Sequence, residues 1–420
     1  MRAYKDSNYQ TSKAILIYLS TPNGLLLSQT IMSNHKTQIA IVGGGICGLW
    51  LLNILRAAGY DTWLFEKDSL GCAQSLASQG MIHGGLKYAL GGFTTPSSES
   101  IARMPETWQA CLRGEGPPDL TGLNTLSDDY YLFSDGALSS KITTFFASRV
   151  LQARITALNP SDYPDVFQST QFKGSLYRLQ DMVLDSRMLL KALIASNTSS
   201  IFRSNPAVLT DSGQVTGLQL EAGQRVVAER YIFAAGAGNE ALLKGTPLNY
   251  VTMQKRPLQQ VMLRGRLPRI YAHAISLKSA NKPRVTFTTH PVSENENVWY
   301  LGGTLAEDGV GKSPNELIDK ARREIADLLP WINLEGTEWA TLDIDRAEPA
   351  QENKSRPDHP FVAAKNNCLV CWPTKLTLTP MLGETVLEQI NLAPAREFGS
   401  PPQLPAAPLG RTPWEVAFDQ

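Results

Sequence analysis

A short apolar run that leads into a glycine-rich turn constrains the fold of this chain more than any other feature. The run at 39–42 is Ile-Ala-Ile-Val, which is typical of a buried parallel strand. A turn with the spacing G-x-G-x-x-G follows at 43–48, and an apolar helix follows at 49–58. With a second strand at 61–65, the pattern predicts a βαβ unit of about 30 residues.

The glycines of this turn have the positions that dinucleotide binding requires. Gly43, Gly45 and Gly48 permit a tight turn, the close approach of a pyrophosphate and close packing of helix on strand. The helix N-terminus attracts the phosphate charge. Glu66 ends the second strand, where a carboxylate accepts hydrogen bonds from ribose hydroxyls and repels the 2′-phosphate of NADP. The unit therefore predicts FAD or NAD as the ligand.

Composition and charge argue against several classes of protein. Lys+Arg and Asp+Glu both total 39, and this balance argues against nucleic acid as a partner. Hydrophobic residues make up 43%, which is too many for a disordered chain. No apolar stretch is long enough for a transmembrane helix. We expect a cytoplasmic protein, with peripheral attachment at the inner membrane as the alternative.

The cysteines predict core packing rather than metal binding. Five cysteines, an odd number, do not form a disulfide scaffold and suit a reducing compartment. Cys368-x-x-Cys371 has no second pair at zinc-site spacing, and on a strand the two side chains point to opposite faces. We predict no metal site, and expect Cys368, Cys371 and Cys47 to be packed side chains.

Four segments further along the chain resemble one family. The segment SLASQGMIHGGLKY at 75–88 is similar to the flavin-facing segment of FAD-dependent glycerol-3-phosphate dehydrogenases and of 2-hydroxyglutarate oxidoreductases. YIFAAGAGN at 231–239 resembles the strand and turn that close the FAD domain in the D-amino-acid oxidase superfamily, and 302–304 and 345–349 match further pieces. The chain is identified as a member of this superfamily over residues 37–392.

The resemblance implies an α/β fold class, or α+β overall. It consists of a Rossmann-like FAD-binding domain with an inserted antiparallel-sheet substrate domain that covers the isoalloxazine ring. The implied divisions are an N-terminal extension outside the fold at 1–36, a discontinuous FAD-binding domain at 37–95, 181–250 and 355–392, a substrate domain at 96–180 and 251–354, and a Pro-rich, extended tail on the surface at 393–420.

The resemblance also implies which residues contact FAD. The predicted contacts are the turn residues Gly43, Gly45, Ile46, Cys47 and Gly48; Glu66 at the ribose and Lys67 near the adenosine; Ser75, Ser78 and Gln79 along the phosphates and flavin; the backbone of Val208 at the adenine; Gly236 at the pyrophosphate; and Lys375 and Thr377 beside the flavin.

One segment departs from the family pattern. The family usually places a glycine-rich turn before its last helix, but here the run at 372–380 is WPTKLTLTP. Lys375 could supply by charge what that turn supplies by dipole, and so stabilise reduced flavin near N1 and O2. The alternative is a solvated lysine on a loop.

Two residues are candidates for the chemistry. His83 either accepts a proton from a substrate hydroxyl or amine, or is a structural hydrogen-bonding group beneath the ring. Arg346 follows the strand-like run 339–342 and suits bidentate binding of a substrate carboxylate. Its alternative is a surface ion pair with Asp343 or Glu348.

These features predict an FAD-dependent oxidoreductase, either a dehydrogenase or an oxidase. It would transfer a hydride from a C–OH or C–NH carbon of a small, anionic molecule to flavin N5. The substrate would be a 2-hydroxy acid, a polyol phosphate or an amino acid, and the electron acceptor is left open between oxygen and a quinone. One alternative is an amine oxidoreductase that acts on a large substrate such as modified tRNA. The other is a flavoprotein with structural FAD and no turnover.

Overall fold

The computed structural model describes residues 34–85, 96–134, 155–275, 282–352 and 354–419. The helices are α1 (Ile46–Ala57), α2 (Pro96–Leu112), α3 (Ser186–Ala195), α4 (Asn239–Leu242), α5 (Thr304–Glu307), α6 (Pro314–Leu328), α7 (Thr379–Ile390) and α8 (Pro413–Phe418). The strands are β1 (Asn34–Val42), β2 (Thr62–Glu66), β3 (Met81–Ile82), β4 (Thr125–Ser127), β5 (Tyr130–Ser134), β6 (Ile155–Ala157), β7 (Leu176–Leu179), β8 (Met182–Leu184), β9 (Ile201–Arg203), β10 (Ala207–Asp211), β11 (Gln214–Gln219), β12 (Arg225–Phe233), β13 (Met253–Gly265), β14 (Ala272–Ile275), β15 (Val285–Pro291), β16 (Asn297–Gly302), β17 (Glu338–Pro349), β18 (Phe361–Lys365) and β19 (Cys368–Trp372).

The first sheet contains the predicted βαβ unit. Its strand order is β10-β11-β12-β1-β2-β9, with β19 also paired to β12 and β18 paired to β19. β1 runs parallel to both β2 and β12, and Ile41 lies opposite Leu64 on one side and Ile232 on the other. All three side chains are buried because α1 and α7 pack over this face. The glycine-rich turn therefore starts at the carboxyl end of a central strand, as the apolar pattern predicts.

The second sheet is antiparallel except where β14 pairs with β5, and its order is β17-β13-β16-β15-β14-β5-β7-β6. β13 and β17 form its longest ladder, in register from Met253 opposite Pro349 to Arg264 opposite Glu338. One face packs an apolar core that includes α6. The α/β fold with an antiparallel-sheet unit is thereby confirmed. No described helix is long and apolar enough to cross a membrane.

The structure corrects three details of the sequence prediction. Residues 34–36 belong to the fold, because they pair with 225–227 as the first part of β1; the rest of the predicted extension, 1–33, lies outside the described residues. α2 packs on α1 through a Trp50–Trp108 contact, so it belongs to the helix layer of the first sheet rather than to the substrate domain. Arg346 lies within β17 and not after a strand.

The Pro-rich tail is extended only in its first part. It runs along the first sheet, where Leu70 N donates to Pro408 O and Gly410 N donates to Leu70 O. α8 follows, and a capping box at Thr412 and Glu415 starts it. Trp414 of this helix is buried against the second sheet. The prediction of an extended, surface-bound tail therefore misses a helix and a buried aromatic anchor.

The cysteines follow the prediction of core packing. Cys368 and Cys371 are both buried, and they join cores on opposite sides of the first sheet. Cys47 and Cys111 are buried as well, and burial raises the pKa of the Cys47 thiol to about 12. Cys72 is the exposed member of the five.

Candidate active site

The glycine turn between β1 and α1 is packed tightly on two sides. Gly43 has a φ of +116°, and a Cβ there would lie 2.6 Å from the backbone of Ala234. A Cβ on Gly48 would lie 1.9 Å from the carbonyl oxygen of Gly43. Both positions therefore require glycine if α1 is to start directly behind the strand.

The third glycine has space in front of it. Gly45 is the N-cap of α1, which has no side-chain cap and no acidic residue in its first turn. A Cβ on Gly45 would contact Ser75 Oγ at 3.1 Å and no other described atom within 4 Å. Ser75 Oγ in turn accepts a hydrogen bond from Ile46 N at 2.9 Å. The helix N-terminus thus has the Ser75 hydroxyl beside it and no protein carboxylate in its first turn, and this fits a pyrophosphate.

Glu66 lies at the end of β2 beside this turn. Its carboxylate accepts hydrogen bonds from Gly44 N at 2.6 Å and from Asp68 N at 3.0 Å. These backbone donors hold a negative charge where a ribose would lie. Lys67 is exposed and pairs with Asp68 at 3.6 Å, so the structure does not bring it to the turn.

The two remaining positions predicted for the nucleotide lie apart from Glu66. Val208 is half-buried in β10 opposite Leu218, at the far edge of the sheet. Ser204, not Val208, meets the end of β2, since its N–H donates to Glu66 O at 2.9 Å. Gly236 lies near the segment predicted to face the flavin, because a Cβ on it would lie 3.4 Å from Gln74 Nε2. The roles of Val208 and Gly236 stay predictions.

A cavity of about 360 Å³ lies between the two sheets. Its walls are the segment 74–83, one face of the second sheet and the loop 374–377. Six residues singled out in the sequence line this space, although they come from distant parts of the chain: Ser78, Gln79, His83, Arg346, Lys375 and Thr377. The structure therefore assembles one site from the predicted flavin and substrate residues.

Thr377 and His83 hold two of these walls together. Thr377 is fully buried, and its Oγ1 accepts a hydrogen bond from His83 N and donates one to His83 O, both at 3.2 Å. Trp108 Nε1 also donates to Thr377 O at 3.1 Å. The backbone of His83 is therefore fixed, while its half-buried imidazole borders the cavity.

Lys375 is not a solvated loop residue. Only 2% of its side chain is exposed, and its Nζ lies 3.4 Å from Asp358 Oδ1. The residue before it, Thr374, has a φ of +61°, a left-handed conformation that is unusual for a β-branched side chain. The loop thus keeps a glycine-like backbone without glycine and brings a buried ammonium group to the cavity.

Arg346 faces the cavity without a carboxylate partner. The predicted alternative, an ion pair with Asp343 or Glu348, is wrong, because no acidic oxygen of the described residues lies within 4 Å of its guanidinium. The buried carboxylate of Glu348 pairs instead with Arg256, which lies opposite Arg346 on β13. Burial, together with the neighbouring Arg256 and Arg356 charges, lowers the pKa of Arg346 to about 10. The group is therefore still a cation at neutral pH.

Several polar residues of the cavity were missed from the sequence, among them Gln260, His273 and Arg356. Gln260 is 4% exposed, and its Oε1 accepts a hydrogen bond from Tyr300 Oη at 2.7 Å. Strand alternation could have identified Gln260 in the sequence. Residues two positions apart on a strand share a face, and Leu258 and Gln260 both line the cavity. Which face of β13 would meet a ligand depends on its pairing with β17, and local sequence does not show that pairing.

An uncapped helix N-terminus without an acidic first turn, a carboxylate at the next strand end and a polar cavity fit a dinucleotide-dependent oxidoreductase. The family model described as FAD dependent oxidoreductase (DAO) matches residues 38–386. The chain belongs to this family, and its cofactor is FAD. The superfamily predicted from the motifs is thereby confirmed.

Comparison with individual proteins agrees with this assignment. The chain is 46% identical to the probable FAD-dependent oxidoreductase PA4991 of Pseudomonas aeruginosa over 391 residues, which cover 91% of this chain and 98% of that protein. The crystal structure of PA4991 matches with a TM-score of 0.80 and 42% identity, and covers 92% of this chain and 100% of that one.

More distant structures share the fold. Glycine oxidase from Bacillus cereus has a TM-score of 0.60 at 18% identity, with 84% of this chain and 94% of that chain covered. L-α-glycerophosphate oxidase from Mycoplasma pneumoniae also has a TM-score of 0.60, at 12% identity, with 86% and 97% covered.

Proposed function

We propose that this FAD-dependent oxidoreductase removes a hydride from a C–OH or C–NH carbon of a small anionic molecule. The observation that carries the proposal is the guanidinium of Arg346, which borders the cavity and has no acidic partner among the described residues. A half-buried guanidinium without a directly paired carboxylate would gain stabilisation from an anionic ligand. Bound FAD supplies the acceptor for the hydride.

The charge of the cavity supports an anionic substrate. Its lining contains the basic residues Lys282, Arg346, Arg356 and Lys375 and the acidic residues Asp181 and Glu307. Lys282 pairs with Glu307, and Lys375 pairs with Asp358. Arg346 has no such pair among the described residues, so an anionic ligand could be its partner. Two of the structural neighbours are named for an amino acid and for a glycerol phosphate, and both of those molecules carry an anionic group.

The protein residues would orient the substrate and accept a proton. A guanidinium clamps a carboxylate through two parallel hydrogen bonds, which fixes the reacting carbon over the flavin. We propose that the imidazole of His83, whose backbone Thr377 holds in place, accepts the proton from the substrate hydroxyl or amine. The volume of the cavity, about 360 Å³, favours a small molecule over a tRNA. The buried Lys375, which suits reduced flavin, favours turnover over a structural FAD.

A substrate screen on the purified holoenzyme tests the proposal. Anaerobic bleaching of the flavin should occur with at least one member of a panel of 2-hydroxy acids, α-amino acids and polyol phosphates. Bleaching by carboxylates identifies an acid substrate, whereas bleaching by phosphates alone would indicate that Arg356 completes a phosphate site with Arg346. Reoxidation by oxygen or by a soluble quinone then identifies the acceptor. Bleaching by an amine-bearing RNA alone, or by none of these, would overturn the proposal.

Arg346 provides the residue-level test. Loss of a buried, charged hydrogen-bond partner costs about 2–5 kcal/mol, so Arg346→Ala should weaken binding of the bleaching substrate roughly 30-fold or more. Arg346→Lys keeps the positive charge but cannot form two parallel hydrogen bonds to one carboxylate. It should therefore raise KM while the FAD content is unchanged. Anaerobic titration of the flavin spectrum measures the dissociation constants. Equal constants for wild type and Arg346→Ala would reopen the case for a neutral or cationic substrate.

A further inference from the structure

α8 packs on the second sheet next to the cavity. Trp414 stacks on the buried ring of His290, with ring centroids 4.4 Å apart and an angle of 30°. It also lies edge-on to Tyr300, at 6.0 Å. Burial lowers the pKa of His290 to about 3, so this stack is one of neutral rings at ordinary pH. The contact is therefore a packing contact, and it braces Tyr300 from the side away from the cavity.

Tyr300 joins the second sheet to the segment predicted to face the flavin. Its hydroxyl lies 3.0 Å from Ala77 O and 2.7 Å from Gln260 Oε1. Its carbonyl oxygen accepts a hydrogen bond from Gln79 Nε2 at 2.8 Å. The tyrosine is fully buried, and the desolvation raises the pKa of its hydroxyl well above the usual value. It therefore acts as a neutral hydrogen-bond donor between the two walls.

The Gln79 side chain reaches the sheet through a gap that a glycine leaves. A Cβ on Gly302 would lie 2.5 Å from Gln79 Oε1. Gln79 Nε2 also donates to Thr288 Oγ1 at 3.3 Å, so the amide contacts two neighbouring strands. The segment 77–79 is thus held to the sheet from both its backbone and a side chain.

The same tail contacts the other end of the FAD region. Its strand-like part pairs with Leu70, and a Cβ on Gly44 would lie 2.4 Å from Leu70 Cδ2. Gly71 N donates to Gly44 O at 3.0 Å. The tail therefore lies against the residues that connect the nucleotide turn to the segment 77–79, in addition to bracing Tyr300.

We propose that Trp414 is a positioning residue for the flavin, acting through Tyr300 on the segment 77–79. The proposal rests on the proposed flavin contact of Ser78 and Gln79. A brace of this kind sets the position of the segment relative to the sheet, because buried aromatic packing has few alternative arrangements. Loss of the indole would let Tyr300 and the segment 77–79 shift, and the environment of the flavin would change at a distance from the substituted residue.

Trp414→Ala and Tyr300→Phe, made in the full chain, test the proposal without any substrate. Tyr300→Phe keeps the ring that Trp414 packs on and removes only the hydroxyl. The readouts are the flavin absorption bands, the dissociation constant of FAD and the dissociation constant of sulfite, a probe of flavin N5. Each substitution should change the sulfite constant about fivefold or more and shift the flavin bands. The two effects should be less than additive in the double variant, because both act on one contact.

Trp331→Ala is the matched control. Trp331 packs on the opposite face of the same sheet and donates a hydrogen bond to Val166 O at 2.8 Å, away from the segment 77–79. It should lower the melting temperature and leave the flavin bands and the sulfite constant unchanged. If Trp414→Ala behaves in the same way, or if Trp414→Phe fails to restore the flavin readouts, Trp414 is only a packing residue and the proposal is overturned.

Gln79→Ala separates this outcome from failure of the proposed flavin contact. If Gln79→Ala changes the flavin bands and Trp414→Ala does not, the contact stands and the role of Trp414 is excluded. If neither substitution changes the flavin bands, the segment 77–79 does not face the flavin. The proposed flavin contact and the proposed role of Trp414 are then both overturned.

Discussion

Two turns of the first sheet perform similar geometric tasks with different chemistry. The turn after β1 leads into α1 and uses glycine at 43–45, whereas the loop 373–378 after β19 leads into α7 and contains no glycine. In the first turn the groups predicted to face the ligand are backbone N–H groups. In the second, Thr374 adopts the left-handed conformation and Lys375 adds a buried charge. The comparison teaches that a parallel strand can offer a ligand either backbone dipoles or a side-chain cation at its carboxyl end.

The largest effect on FAD binding is expected from a substitution that fills the space at the glycine turn. Gly45→Val would place a branched side chain beside Ser75 Oγ, in the opening where a phosphate must lie. The folded variant should purify colourless, because the side chain occupies the space that the phosphate needs. The affinity for FAD should fall about 100-fold or more, where each tenfold step corresponds to about 1.4 kcal/mol of binding free energy. The ratio of flavin to protein absorbance measures this. Gly116→Val is the control, because a Cβ there contacts nothing within 4 Å. Stoichiometric FAD in Gly45→Val would show that the turn does not bind the pyrophosphate.

A smaller effect is expected from a substitution that removes the buried charge of the second turn. Lys375→Met should lower the reduction potential of the flavin and weaken sulfite binding about tenfold, because a buried positive charge near the ring is lost. Asp358→Asn removes the partner carboxylate, which is half-exposed, and should shift both quantities slightly in the opposite direction. Lys365→Met, at an exposed position on β18, is the control. An unchanged potential in Lys375→Met would mean that the second turn does not act on the flavin by charge.

The smallest effect concerns backbone strain in the second turn. Since Thr374 has a φ of +61°, glycine should fit there better than alanine, by about 1 kcal/mol of unfolding free energy. Both variants lose the hydrogen bond from Thr374 Oγ1 to His359 O, so their difference isolates the backbone. Urea unfolding with bound FAD measures it. Equal stabilities would mean that the loop relaxes and that the contrast between the two turns is only one of charge.

Several parts of the fold are determined by local rules that one sequence can show. Asp185 caps α3 through hydrogen bonds from Arg187 N and Met188 N, as its place before an apolar helical pattern suggests. The hairpin between β10 and β11 turns at Ser212 and Gly213, both with positive φ. Each signal involves residues only a few positions apart, so one sequence is enough to show it.

The cavity could be predicted only as a set of residues, not as an arrangement. Whether Arg346 has an acidic partner depends on the pairing of β13 with β17. That pairing places Arg256 opposite Arg346, and Glu348 forms its ion pair with Arg256. The bonds between His83 and Thr377 join residues 294 positions apart. Such pairings are set by the packing of whole sheets, and no local pattern encodes them.

The burial of four of the five cysteines has a practical consequence for labelling the protein. Of the five thiols, only Cys72 is exposed, and it lies where the tail crosses the first sheet: a Cβ on Gly410 would be 3.1 Å from its Cα. Burial raises the pKa of both the Cys111 and the Cys368 thiols to about 11, so they, with Cys47 and Cys371, are poor nucleophiles in the folded protein. A maleimide dye should therefore label native enzyme at one site, without any engineered substitution. The dye would then lie beside the C-terminal tail at Gly410, next to the start of α8.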